Sequence, residues 1–252
     1  MSKLKTTTRF KNSFHQQVET ILSAFNNDFL RNAQCYFGGG TRIVMELGEY
    51  RESRDINFLC ASQAGYRLLR ESVSERALGS LVTIPLALAR EIRTDQYGIR
   101  TFIATSTTTA AADISAGKVK FEIIREARIS LSTSPGAALA GVTVPVLSHA
   151  DSFAEKFLAN ADRGLDAATN SRDIIDLAFM IQGWQHDAAA AGWQCAAAAY
   201  GKSIDHALDA VTTKIKRELA YRKKCFETLQ ITETKQCMTG IDVLASGKWR
   251  SG

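Results

Sequence analysis

Three consecutive glycines, Gly38-Gly39-Gly40, place the strongest constraint on this 252-residue chain, because they separate a strand-like segment from a helix-like one. Gln34-Cys35-Tyr36-Phe37 reads as a short strand. Thr41 is placed to cap a helix that runs to Leu47 and stops at Gly48. A strand that exits through glycines onto a helix N-terminus offers backbone N–H groups, and the missing side chains let phosphate oxygens reach them. The same glycines are also compatible with a plain turn. A rival phosphate motif, Gly201-Lys202-Ser203, fails because its required upstream glycine is Ala196, and alanine-rich helix rather than strand precedes it.

Along the rest of the chain, strands come first and helices follow. Phe14, Val18, Ile21, Leu22 and Phe25 set a helical rhythm between Phe10 and Leu30. Ile56 to Cys60 is β-rich, and a helix from Ser62 to Leu78 would align Tyr66, Leu69, Val73 and Ala77. Strand-like pieces follow at Glu91–Thr94, Gly98–Ala104 and Lys118–Ile124. The last sets Val119, Phe121 and Ile123 against Lys118, Lys120 and Glu122 on opposite faces. The run Thr105–Ala112 reads as a loop or strand end. From Ser152 the pattern is helical almost to Leu229, with a capping box Ser152–Glu155, a second cap at Ser171 and a helix break at Gly192. The expected fold class is therefore α+β, with residues 1–147 as a mixed sheet-and-helix domain and 148–252 as a C-terminal helical bundle.

Composition removes several function classes. At 45% hydrophobic and 23% charged residues the chain is globular, and no stretch approaches the roughly 18 apolar residues of a membrane span. The basic N-terminus lacks a signal-peptide apolar core, so a cytoplasmic protein with no membrane partner is expected. Five scattered cysteines without CxxC spacing and four lone histidines argue against a disulfide framework and a zinc site. Of the net charge of +5, most lies in the last fifth, where residues 201–252 hold ten Lys/Arg against six Asp/Glu.

The chemistry-bearing residues follow the glycines. Asp55 and Asn57 lie two apart on a strand and share a face, and Glu122 on the outward face of a later strand can join them. Three oxygen-bearing side chains beside a phosphate cradle would hold Mg²⁺ for nucleotide chemistry. Asp-x-Asn on a strand is equally consistent with an exposed edge. Near the C-terminus, Lys214, Lys216, Arg217, Arg222, Lys223 and Lys224 are opposed only by Glu218. On one helix, Lys216 with Lys223 and Arg217 with Lys224 would form a stripe away from Ile215 and Leu219. Such a stripe could track an RNA backbone or simply be a solvated face.

Gly39-Gly40-Thr41, then Arg51-x-Ser53-x-Asp55-Ile-Asn57-Phe58, and the acidic strand at Glu122 resemble a polymerase-β-type nucleotidyltransferase core. More narrowly they resemble the AbiEii/AbiGii toxin family of bacterial toxin–antitoxin and phage-defence systems. Ala154-Glu155-Lys156 and Arg172-Asp173-x-x-Asp176-Leu177 extend the resemblance over roughly residues 12–182. It implies a polymerase-β-like domain and Mg²⁺-dependent transfer of a nucleoside monophosphate from an NTP, for some members onto the 3′ end of tRNA. By matching position, Gly39, Gly40 and Thr41 would line the phosphates with Ser53 beside them. Asp55 would bind metal, with Asn57 and Glu122 completing the set. Lys156 and Asp173 would be the nucleotide-binding pair.

One departure stands out. The family has an aspartate where this chain has Asn57. Unit charges about 4 Å apart interact by ~4 kcal/mol at an effective dielectric of 20, so losing a carboxylate beside a dication is a large change. Asn57 leaves three readings open: a transferase with a weakened second metal site, a nucleotide- or RNA-binding protein without turnover, or an inactivated variant. A third class of function, an interaction module whose bundle binds an antitoxin, is compatible with any of them.

Overall fold

The computed structural model describes residues 9–105 and 117–250, so the run Thr105–Ala112 lies outside the described residues beyond Thr105. Two asparagine caps divide the first helical stretch. The Asn12 side chain accepts from the Phe14 N–H and starts α1 (Ser13–Leu22). The Asn26 side chain accepts from the Phe29 N–H and starts α2 (Asn27–Asn32). The expected continuous helix to Leu30 is therefore broken, because a capping side chain favours extended backbone at its own position.

Then come β1 (Cys35–Gly38), α3 (Gly39–Glu46), β2 (Asp55–Cys60) and α4 (Gln63–Ser72). The last ends six residues earlier than its apolar rhythm suggests: Val73 is extended, and Ser74 pairs with Ala77. Three further strands, β3 (Leu88–Thr94), β4 (Gly98–Ala104) and β5 (Lys118–Arg125), complete one sheet in the order β1-β2-β5-β4-β3. The β2–β5 pair is parallel and the other pairs are antiparallel, which gives the mixed sheet expected.

Alternation along the strands divides the sheet into two unlike faces. Val119, Phe121, Ile123, Ile56 and Phe58 are fully buried among residues of α1, α2 and α4. Phe25 lies 5.4 Å from Phe58 and 5.3 Å from Phe121, centroid to centroid, and ties the helices to the sheet. The opposite face carries Asp55, Asn57, Lys120, Glu122, Arg100 and Phe102.

The segment after Pro135 returns to the sheet, where the Phe37 N–H donates to the Pro145 carbonyl and the Leu147 N–H donates to the Phe37 carbonyl. It then enters α5 (His149–Arg163). The cap of this helix is Ser148, which accepts from the Asp151 N–H, so the capping box lies four residues before the Ser152–Glu155 expected. The bundle continues with α6 (Arg172–Gly183), α7 (His186–Tyr200), α8 (Ser203–Arg217), α9 (Leu219–Thr228) and α10 (Thr234–Ser246). Every residue of α6 from Asp173 to Ile181 is buried, which makes it the central helix of the bundle. Ser171 stands at its N-cap position as expected, but its side chain makes no capping bond. Its backbone is left-handed, and its hydroxyl bonds the Gly164 carbonyl and the Tyr221 hydroxyl. The core around α6 also takes in Ile43 and Val44 of α3 and Tyr50, so the bundle grips the helix that the glycines open.

Gly192 is not a break. The helix α7 runs through it, and a Cβ there would stand 2.5 Å from the Ala150 carbonyl oxygen and 2.5 Å from Phe153 Cβ on α5. Alanine gains about 1 kcal/mol of helix propensity over glycine, but forced overpacking costs about 1–3 kcal/mol. Gly192→Ala is thus expected to lower the thermal midpoint by calorimetry; a raised midpoint would contradict the close α5–α7 approach.

Candidate active site

Between the polar sheet face and the bundle runs a cleft of about 720 Å³. Gly39, Gly40, Arg51, Ser53, Asp55, Asn57 and Glu122 line it from the sheet side, and Lys156, Arg163 and Arg172 from the bundle. The structure thus brings together the glycine turn, the strand acids and Lys156 from segments about a hundred residues apart.

The glycine turn is shaped by its neighbours. Gly39 has φ +71°, a conformation that side-chain-bearing residues rarely adopt, and a Cβ there would lie 3.1 Å from the Asn57 side chain. At Gly40 a Cβ would stand 2.7 Å from an Arg51 guanidinium nitrogen and 3.3 Å from Ser53 Oγ. The start of α3 is therefore bare backbone lying directly against Asn57, Arg51 and Ser53, and it can approach an anion with free N–H groups. Thr41 sits beneath this surface. Its side chain is fully buried, and its hydroxyl donates to the Asp55 carbonyl at 2.5 Å while lying 2.8 Å from Ser53 Oγ. The expectation that Thr41 lines the phosphates is corrected on that ground: its side chain clips α3 to β2.

Under the cleft lies a buried ion network. The Arg51 guanidinium donates to both oxygens of Asp176, from Nε at 2.8 Å and from Nη2 at 2.7 Å, and the Tyr50 hydroxyl adds a bond of 2.6 Å. Lys156 Nζ bridges Asp173 at 2.8 Å and Asp176 at 2.7 Å. Arg163 donates to both oxygens of Asp173. Burial pushes both carboxyls up, but the cations prevail: Lys156 and Arg163 hold Asp173, and Arg51 and Lys156 hold Asp176, below the usual carboxylate range. Asp173 is 1% exposed and lies outside the cleft lining, so its expected contact with nucleotide is corrected to that of a group that positions Lys156 and Arg163. Asp176 likewise pairs with Arg51 and Lys156 rather than with Arg172 one turn before it.

The donor set for a metal can be judged from its chemistry. Glu122 is the cross-strand partner of Asn57, and Asp55 precedes Asn57 by two residues, so three hard oxygen donors share one sheet face. Asp55 has no cationic partner among the described residues. Glu122 is held by Lys120 at 2.7 Å and Arg100 at 3.4 Å. Among the described residues no group of three or more His, Cys, Asp or Glu side chains could hold a metal ion. Two carboxylates and an amide suit one hard cation that draws its remaining ligands from a nucleotide; they do not suit a symmetric two-metal centre.

The basic stripe expected near the C-terminus does not form. Glu218, at φ −94° and ψ 85°, separates α8 from α9, so the seven-residue repeat is not continued on one helix. Lys216 pairs with Asp242 at 2.7 Å and Lys223 with Glu227 at 3.7 Å. None of Lys216, Arg217, Lys223 and Lys224 lines the cleft. Conversely, Arg128 and Arg163 do line it, although the sequence gives no sign of them. Arg128 is gripped by Glu126 and Glu155, each 2.7 Å away. No local spacing distinguishes these arginines from solvated ones; the signal is their place in the cleft lining, which only the fold supplies.

The fold matches two solved structures from Helicobacter pylori. One is a candidate nucleotidyltransferase, 15% identical, matched over 92% of each chain with a TM-score of 0.53. The other is JHP933, 14% identical, matched over 92% of this chain and 89% of that one with a TM-score of 0.51. At such identities the likeness concerns the fold, and the fold is of the nucleotidyltransferase class. No curated protein matches the sequence. The family model of the nucleotidyl transferase AbiEii toxin, of type IV toxin–antitoxin systems, matches residues 20–235, and the chain belongs to that family. Membership supports a nucleotidyl-transfer toxin role, and implies nucleotide substrates and an antitoxin partner. Among the described residues no helix is long and apolar enough to cross a membrane.

The network also predicts an acid response. A carboxyl held below its unfolded value contributes stability that is fully present above about pH 4 and is lost as pH falls through the folded value. Removing one partner of a buried pair costs about 3–5 kcal/mol. Asp173→Asn should therefore unfold at lower denaturant at pH 7, and its curve should begin to approach the native one only below about pH 4, converging as pH falls through the depressed folded value. Parallel curves at all pH values would contradict the depressed Asp173 carboxyl.

Proposed function

We propose that this protein transfers a nucleoside monophosphate from an NTP to a hydroxyl at the end of an RNA, with tRNA the first acceptor to test. One observation carries the proposal: a bare helix N-terminus, the Asp55 carboxylate, which has no cationic partner among the described residues, and a clamped ammonium at Lys156 converge in one cleft. The backbone N–H groups at Gly39 and Gly40 face phosphate oxygens, as does Lys156, a compact cation fixed by two buried carboxylates. Arg51 reaches the same turn, and its pairing with Asp176 fixes the plane of its guanidinium. Held by Asp55, Asn57 and Glu122, Mg²⁺ would supply charge neutralisation at the α-phosphate.

Attack by the acceptor hydroxyl on the α-phosphorus forms the new P–O bond and expels pyrophosphate. The part played by the chain is electrostatic stabilisation and alignment rather than covalent chemistry. Arg163 and Arg172 at the bundle rim extend the positive wall beyond the phosphates. Asn57 favours a second reading, nucleotide binding without turnover, because the amide keeps an oxygen ligand and loses its charge.

Incubation with Mg²⁺, labelled NTPs and total tRNA decides between the two. Transfer of label by the native chain, lost in Asp55→Ala and increased in Asn57→Asp, is the expected result. NTP binding without transfer in both the native chain and Asn57→Asp would overturn the transferase reading and leave the binding one.

A further inference from the structure

Two rungs of cross-strand partners run from the cleft to the outer strand of the sheet, β3, on its polar face. Asn57 is the partner of Glu122, Glu122 of Arg100 and Arg100 of Arg93. Beside that rung, Asp55 is the partner of Lys120, Lys120 of Phe102 and Phe102 of Arg90. Partners in register share a face, and three strand steps of about 4.8 Å span about 14 Å. One end of each rung is thus a proposed metal ligand, and the other is an arginine on β3.

A groove of about 550 Å³ follows these rungs and shares Lys120 and Glu122 with the cleft, so the two spaces adjoin at those side chains. Its acids are Glu75, Glu91 and Glu122. Glu91 faces Arg76 at 3.9 Å, and Glu122 is taken by Lys120 and Arg100. Arg90 and Arg93 are exposed and have no carboxylate partner among the described residues. Between them and the cleft stands Phe102, half-buried, with the Arg90 guanidinium 4.9 Å and Lys118 Nζ 5.2 Å from its ring centroid.

We infer that this groove is the track of the acceptor strand, in which a single-stranded RNA end crosses β3 and β4 and delivers its terminal hydroxyl to Asp55. Arg90 and Arg93 take phosphates, and Phe102 offers a ring on which an unpaired base stacks. A base inside a duplex cannot reach that ring, so the track selects single strands. Outward-pointing arginines also make β3 a poor edge for adding a protein strand. The inference rests on the acceptor being RNA, as proposed above, and it moves the contact from α8 and α9 to the sheet.

The test is fluorescence anisotropy of a 5′-fluorescein-labelled single-stranded oligoribonucleotide across a salt series, run beside the transfer assay. Arg90→Ala/Arg93→Ala should weaken binding at least tenfold. Losing two phosphate contacts should also make the slope of log affinity against log salt shallower by about 1.4. Arg90→Lys/Arg93→Lys should keep the native slope, which a merely structural loss would not allow. Phe102→Ala should weaken binding about fivefold or more. Lys223→Ala/Lys224→Ala should stay within twofold of native, and NTP affinity should be unchanged in every variant.

A native chain that transfers nucleotide to RNA, with Arg90→Ala/Arg93→Ala binding RNA as tightly and with the same slope, would overturn the track and leave the function standing. The track is equally overturned where, with RNA binding intact, those substitutions release a protein partner instead. Equal loss for a blunt duplex of the same sequence would overturn the single-strand assignment. A native chain that neither binds nor modifies RNA would overturn the function itself.

Discussion

Asp176 is a carboxylate with no exposed surface, and groups from both halves of the molecule converge on it. Tyr50 and Arg51, from the connection between α3 and β2, donate to it, and Lys156 reaches it from α5. An isolated charge at that depth would be very costly, whereas one met by two cations and a hydroxyl is stable only while all of them stay in place. The pairing therefore fixes the sheet against the bundle, and with them the width of the cleft. It also fixes what the cleft presents. Arg51 lies against Gly40, so the carboxylate that joins the two layers also aims a guanidinium at the bare start of α3. Lys156 is oriented by Asp173 and Asp176 together, and Asp173 in turn holds Arg163 at the rim.

The local features are legible in the sequence wherever one segment decides its own conformation. The glycine turn, the alternation of Val119, Phe121 and Ile123, and the shared face of Asp55 and Asn57 depend on neighbours within a few residues, and the structure keeps all three. The caps are less legible. Ser152 and Ser171 have the residue type of a helix start, yet Ser148 caps α5 and Ser171 bonds Tyr221 from another helix. Which of several serines becomes a cap depends on where packing lets the helix begin. Gly192 resembles a break because glycine weakens an isolated helix; pressed against Ala150 and Phe153, it is the residue that lets α5 and α7 approach.

The site is half legible for the same reason. Residues that touch the cleft from β2 and α3 carry a spacing signal. Asp173 and Asp176 carry one too, but their roles follow from burial and partners that only the fold supplies. The C-terminal cluster of lysines and arginines is the largest charge signal in the sequence and does not reach the cleft. Charge counted along a chain does not distinguish cations paired with Asp242 or Glu227 from Arg90 and Arg93, which face solvent in line with the strand acids. What locates an anion path is register across the sheet, and register is a long-range property.

If the cleft binds nucleotide as proposed, the Arg51–Asp176 pairing that joins the layers also organises that binding. A double-mutant cycle in NTP affinity, measured by isothermal titration on the native chain, Arg51→Met, Asp176→Leu and the double variant, tests this most directly. Each single change is predicted to weaken binding at least tenfold, and the double variant to lose far less than the sum, with a coupling of about 1 kcal/mol or more. Strictly additive losses, or native affinity in Asp176→Leu, would contradict it.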